Sequence, residues 1–141
     1  MIGSSAGCPA TKATVRNNAC RLETMIANVY AVCQVIQPGQ MEKVDDFILT
    51  FSGRLEERTE KFGLYWDYSS PITFSEEHAL WLQSDADGGF EYRLIADSKK
   101  QEVELYLYDR LVCSLPYAKC RGLYFILKNA TIEIEHIRLV K

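Results

Sequence analysis

The chain reads as an antiparallel β-sandwich, and three observations carry that prediction. From Phe47 onward, apolar and polar residues alternate with a period of two in eight separate stretches. Short runs rich in Asp, Gly, Pro, Ser and Asn, the residues that turns require, separate those stretches. Nothing between them repeats its apolar residues at helical spacing, which argues against parallel strands joined by helices.

The N-terminal part is less regular. Residues 1–18 are rich in Gly, Ser, Ala, Thr and Asn, bury too little apolar surface to offset ordering, and are expected to form a flexible lead-in to a single domain over 19–141. Residues 19–37 fit two templates. Leu22, Ile26, Val29, Cys33 and Ile36 recur at helical spacing, with Asn18 placed as an N-cap and Gln37-Pro38-Gly39 as a stop. The β-branched residues Thr24, Ile26, Val29, Val32, Val35 and Ile36 instead suit an opening strand. The capping signals tip the expectation towards one N-terminal helix.

After Pro38-Gly39 the strand signals become continuous. Phe47, Leu49, Phe51 and Leu55 alternate with Ile48, Thr50, Ser52 and Arg54, with Gly53 placed as a bulge. A polar turn leads to residues 62–68, where Phe62, Leu64 and Trp66 share one face and Tyr65 and Asp67 the other. Strands over 79–83 and 90–96 flank Asp85-Ala86-Asp87-Gly88-Gly89, whose composition predicts a hairpin turn. Val103, Leu105 and Leu107 alternate with Glu104, Tyr106 and Tyr108, and Asp109-Arg110 is expected to turn the chain into 111–115. Two last strands cover 122–127 and 131–140. In the second, Ile132 and Ile134 are out of phase with Ile137 and Leu139, so a bulge is expected near His136.

Length and composition exclude several classes of function. At 141 residues the chain can bury about two-thirds of its unfolded surface, so neither a metal nor a disulfide is needed to hold it. Apolar residues at 48% and charged residues at 25% are those of an ordinary globular protein. The net charge of −3, with no basic run, argues against a nucleic-acid partner. No apolar stretch reaches the ~20 residues of a membrane span, and residues 1–18 lack the pattern of a signal peptide, so no membrane partner is expected. The five cysteines, Cys8, Cys20, Cys33, Cys113 and Cys120, are odd in number and form no C-x-x-C pair. Free thiols in a reducing, cytoplasmic setting are favoured, with a Cys113–Cys120 bridge across Pro116 left open.

Particular stretches carry a resemblance. Residues 45–55 (DDFILTFSGRL), 62–66 (FGLYW) and 88–94 (GGFEYRL) resemble the early strands of concanavalin A-like (laminin G-like) jelly-roll domains. The end of the chain is similar too, with Leu115-Pro116, then Gly122-Leu123-Tyr124-Phe125, then 132–139 (IEIEHIRL). Where such domains often turn with Asn-Gly, this chain has Asp109-Arg110. The resemblance implies an antiparallel jelly-roll sandwich of about eight strands and a lectin-like, carbohydrate-binding or protein-interaction role. Glycoside cleavage is the less favoured implication, and no catalytic residue carries over.

The outward faces are where ligand chemistry is expected. Tyr65, Asp67, Trp81, Arg93 and Tyr106 share the outward phase and are expected on one concave face. Aromatic planes beside carboxylate and guanidinium groups suit a sugar, whose C–H face stacks while its hydroxyls hydrogen-bond. The same mixture suits a protein partner or a second copy of the chain. Asp85 and Asp87 resemble the start of a calcium loop, but the bidentate Glu such a loop needs is replaced by Ala96, so a plain turn is preferred. Glu76-Glu77 and Glu133/Glu135 are carboxylate pairs without a motif that would make them catalytic, and His78 and His136 read as ordinary strand residues. The expected role is non-catalytic recognition, without a cofactor or metal.

Overall fold

The computed structural model describes residues 3–4, 11–16, 18–36, 44–66, 79–117 and 122–141. These form two antiparallel sheets. The strands are β1 (Gly3–Ser4), β2 (Thr11–Arg16), β3 (Ala19–Thr24), β4 (Ala31–Ile36), β5 (Phe47–Leu55), β6 (Lys61–Trp66), β7 (Leu80–Trp81), β8 (Gly89–Asp97), β9 (Glu102–Leu107), β10 (Arg110–Pro116), β11 (Leu123–Lys128) and β12 (Thr131–Val140). One sheet has the order β1-β4-β11-β6-β7 and the other β10-β9-β8-β5-β12-β3-β2. The eight strands expected from Phe47 onward are all present, so the predicted β-sandwich stands.

The core lies between the sheets and has an aromatic centre. Phe51, Phe90 and Tyr92 come from the seven-stranded sheet, and Phe62 and Phe125 from the five-stranded one. Phe125 bridges them, its ring centroid 5.3 Å from Phe51 and 5.2 Å from Phe62, in the tilted and edge-on geometries that aromatic quadrupoles favour. Leu22, Leu49, Leu64, Leu94, Leu105 and Ile132 extend this core along the strands. The Tyr92 hydroxyl reaches its edge, donating to the Gln83 carbonyl and accepting from the Gln83 N–H, both at 2.7 Å.

The N-terminal expectations require correction. The helix predicted within 19–37 is two strands, β3 and β4, joined by a turn with Asn28 at a φ of 62°. A helix would have buried Ile26 and Val29 with Leu22, yet they are 46% and 45% exposed while Leu22 is fully buried. Strand alternation wins because Leu22 on β3, and Cys33 and Val35 on β4, reach the shared core. Asn18 is not an N-cap. It sits at a φ of 65° in the turn that pairs Arg16 with Ala19, a conformation Asn tolerates better than most residues. The lead-in expected over 1–18 differs as well, since β2 runs along β3 from Thr11 to Arg16 and β1 pairs with β4. Order there comes from a neighbouring strand's hydrogen bonds rather than from local composition.

Three turns also differ from expectation. The 85–89 segment is no hairpin between adjacent strands, because β7 belongs to the five-stranded sheet and β8 to the seven-stranded one. The turn into β10 is Tyr108-Asp109, with Tyr108 at a φ of 54° and Arg110 opposite Leu107. The bulge is not at Gly53, which pairs regularly with Phe90. It lies on β12, where Ile134 pairs with Gly53 and His136 with Ser52, leaving Glu135 as the extra residue. That position agrees with the phase change predicted near His136. Cys20, Cys33 and Cys113 are free thiols, while Cys8, Cys120 and the Glu76-Glu77 pair lie outside the described residues.

Candidate functional site

The outer face of the seven-stranded sheet gathers polar side chains into a groove. Register dictates the grouping. Arg138 on β12 lies opposite Thr50 on β5, Thr50 opposite Arg93 on β8, and Arg93 opposite Tyr106 on β9. One step along, His136, Ser52 and Glu91 form the next row. All are in the outward phase, because Phe51, Tyr92 and Leu105, their neighbours in sequence, point into the core. The groove over these rows has a volume of about 260 Å³ and is lined by Thr50, Ser52, Glu91, Arg93, Tyr108 and His136, with Asp109 at its end.

Arg93 is the central group. Its guanidinium carbon stands 4.8 Å from the centroid of the Tyr106 ring, a cation–π contact with the neighbouring strand. Its Nε is buried and has no hydrogen-bond partner among the described residues. An unpaired buried donor costs roughly 1–3 kcal/mol, and a guanidinium nitrogen can do nothing but donate. Tyr106 is oriented in turn by donating its hydroxyl to Glu104 at 3.2 Å.

Tyr108, which lines the groove, is held from outside it by the 85–89 turn. Tyr108 donates its hydroxyl to Asp85 Oδ2 at 2.7 Å, and Asp85 Oδ1 accepts from the N–H groups of Asp87 and Gly89 at 2.9 and 3.0 Å. The Tyr108 hydrogen bond, and then the two backbone donors, hold the Asp85 carboxyl below the usual carboxylate range. The same bond pushes the Tyr108 phenol up. Gly88, at a φ of +85°, accepts from the Leu55 N–H at 2.7 Å, and Arg54 reaches the Asp87 carbonyl at 3.2 Å. The Asp85 carboxylate therefore serves the turn. Among the described residues no three His, Cys, Asp or Glu side chains are grouped to hold a metal ion.

Of the five residues expected on one face, the four described divide between two. Arg93 and Tyr106 are at the groove. Tyr65 and Trp81 lie on the outer face of the five-stranded sheet, with the whole core between the two pairs. Tyr65 is 5% exposed, its ring 6.2 Å from Tyr124. Trp81 lies over Gly63, with Lys61 Nζ 4.9 Å from its centroid and the Tyr30 ring at 5.9 Å. Asp67 lies outside the described residues. Thr50, Ser52, Glu91, Tyr108 and His136 join the groove without having been singled out as a site. Their outward phase was readable, but their cross-strand partners were not.

No family model and no curated protein matches this chain. Among solved structures, the carbohydrate-binding module CBM66 from Bacillus subtilis is similar with a TM-score of 0.62 at 10% identity, over 96% of this chain and 98% of that one. A sialidase gives a TM-score of 0.62 at 5% identity over 94% of this chain, which spans 16% of the sialidase. Sheep galectin-11 gives 0.45 at 7% identity over 83% of this chain and 100% of that one. At these identities the likeness is one of fold. The chain has a jelly-roll β-sandwich fold, and its resemblance to concanavalin A-like domains is one of fold alone.

Proposed function

We propose that this protein is a carbohydrate-recognition module that binds sugar in the groove at Arg93. The observation that carries the reading is Arg93 itself: a guanidinium over the Tyr106 ring, its Nε buried and without a hydrogen-bond partner among the described residues, in a groove lined by hydroxyl, carboxylate and imidazole side chains. A sugar offers a ring of hydroxyls that both donate and accept, which such a lining matches. A ligand oxygen that reaches Nε as the Arg93 side chain turns towards the groove would relieve an uncompensated cost and so favour the bound state. The fold likeness to a carbohydrate-binding module over nearly the full length of both chains supports the same reading.

A glycan array followed by titration calorimetry on the best hit tests it. Arg93→Ala should weaken that glycan by tenfold or more with an unchanged near-ultraviolet circular dichroism spectrum, and Arg93→Lys should not restore it, because an ammonium lacks the planar fork. An array without specific binding, or an Arg93→Ala variant that binds as well as the parent, overturns the reading.

A second reading, self-association, has one observation in its favour. Edge strand β10 presents Leu111 and Val112, each 48% exposed, beside a backbone edge that no strand among the described residues pairs with. A molar mass that stays constant from micromolar to millimolar concentration in light scattering would exclude it.

A further inference from the structure

We infer that the Arg93 groove is one end of a track for a linear, uncharged oligosaccharide lying across the strands, an inference that rests on the sugar-binding reading above. The groove does not end at Ser52 and Glu91. A second depression of about 290 Å³ shares Ser52, Glu91 and Tyr108 with it and continues over Gly53 and Arg54 to Glu135. A third, of about 760 Å³, shares Glu135 with the second and continues over Glu133 and Arg21 to Thr14 and Lys12. The three therefore form one path.

That path follows adjacent strands from β8 through β5, β12 and β3 to β2. Four strand spacings give it a length on the order of 20 Å, longer than one sugar ring or a disaccharide. The β12 bulge is what joins its parts. By inserting Glu135 between Ile134 and His136, it places two consecutive exposed side chains on β12, one facing each side of the junction.

Chemistry narrows the occupant. Seven carboxylates and four lysine or arginine side chains line the three depressions together. That excess of acid disfavours uronate-bearing, sulfated or nucleic-acid chains, which would bring further negative charge. The buried aromatic and Met anchors that dominate protein interfaces are lacking along the β12-β3-β2 part of the path, whose lining is mostly polar. A neutral chain rich in hydroxyls fits this lining along its length.

The experiment is titration calorimetry of the full chain with linear gluco-, xylo-, manno- and fructo-oligosaccharides of one to six units, and with oligogalacturonates as acidic controls. Affinity for the neutral series that binds should rise at least tenfold from two units to four. The exposed pair Lys12→Ala and Glu133→Ala, at the far end, should together bring the four-unit ligand down to the affinity of the two-unit one. Affinity that is level from one unit upward, an acidic chain that binds as well as a neutral one, or a double variant that keeps the gain with length each overturns the track while leaving sugar binding at Arg93 standing. Absence of binding by every series, neutral and acidic alike, overturns both readings.

Discussion

Gly53 and Glu133 are locked together by proximity: a Cβ added at Gly53 would stand 2.0 Å from the Glu133 carbonyl oxygen and 3.1 Å from Ile134 Cα. The contact sits at the β12 bulge, where β12 is drawn against β5 just before Glu135 is inserted. The missing side chain on one strand and the extra residue on the other are thus one device. Its product is the outward placement of both Glu135 and His136.

Gly53→Ala should therefore destabilise the fold by about 3 kcal/mol, at the upper end of over-packing costs, since the obstacle is backbone and not a flexible side chain. Urea denaturation reads the change. A loss below half a kilocalorie per mole would mean that β12 can move away from β5 freely. A sugar bound at His136 and Ser52 should also weaken in this variant.

Trp81→Ala should lower stability by about 2 kcal/mol, less than for a fully buried indole. It should leave sugar affinity unchanged, because Trp81 and Arg93 lie on opposite outer faces. Calorimetry with the best-binding glycan separates the faces. Loss of binding in Trp81→Ala with retention in Arg93→Ala would move the site to the five-stranded sheet.

Gly63→Ala should cost about 1–2 kcal/mol, since its Cβ would meet Trp81 Cε3 at 2.8 Å. The Trp81 ring is the nearest obstacle and the Leu80 carbonyl oxygen, at 3.0 Å, the next, so the cost should shrink without vanishing when Trp81 is also replaced. In a double-mutant cycle read by thermal unfolding, Gly63→Ala and Trp81→Ala are expected to be less than additive. Strict additivity would show that the two do not touch.

The 85–89 turn that holds Tyr108 should respond to acid. Asp85 is held below its ordinary pKa chiefly by the Tyr108 hydroxyl, so its carboxylate stabilises the folded turn above the unfolded value of about 4. That contribution is lost as pH falls through the depressed folded value. Carbon-detected NMR titration should show Asp85 ionising below the ordinary aspartate range in the parent and nearer to it in Tyr108→Phe. Identical midpoints in the two proteins would mean that the 2.7 Å hydrogen bond does not hold Asp85.

Part of this arrangement was legible in the chain. The phase reversal between Ile134 and Ile137 announced the bulge, because one face of β12 must stay apolar along its length. The helix expected within 19–37 shows the opposite case. Both periods fit the apolar residues, and only the exposure of Ile26 and Val29 decided between them. The lead-in was misjudged at β2 for a related reason, as a polar segment can be ordered by a neighbour's backbone with no apolar core of its own.

Alternation alone placed Phe51 and Leu105 inside and Arg93 and Tyr106 outside, since successive residues of a strand must point to opposite faces. It placed Tyr65 and Trp81 outside by the same rule. What it could not do was assign a strand to a sheet, because both sheets obey one alternation. Backbone hydrogen bonds between residues far apart in sequence made that assignment, pairing Leu64 with Leu80 and Thr50 with Arg93. Two sets of side chains with the same outward phase thereby came to lie on opposite sides of the molecule.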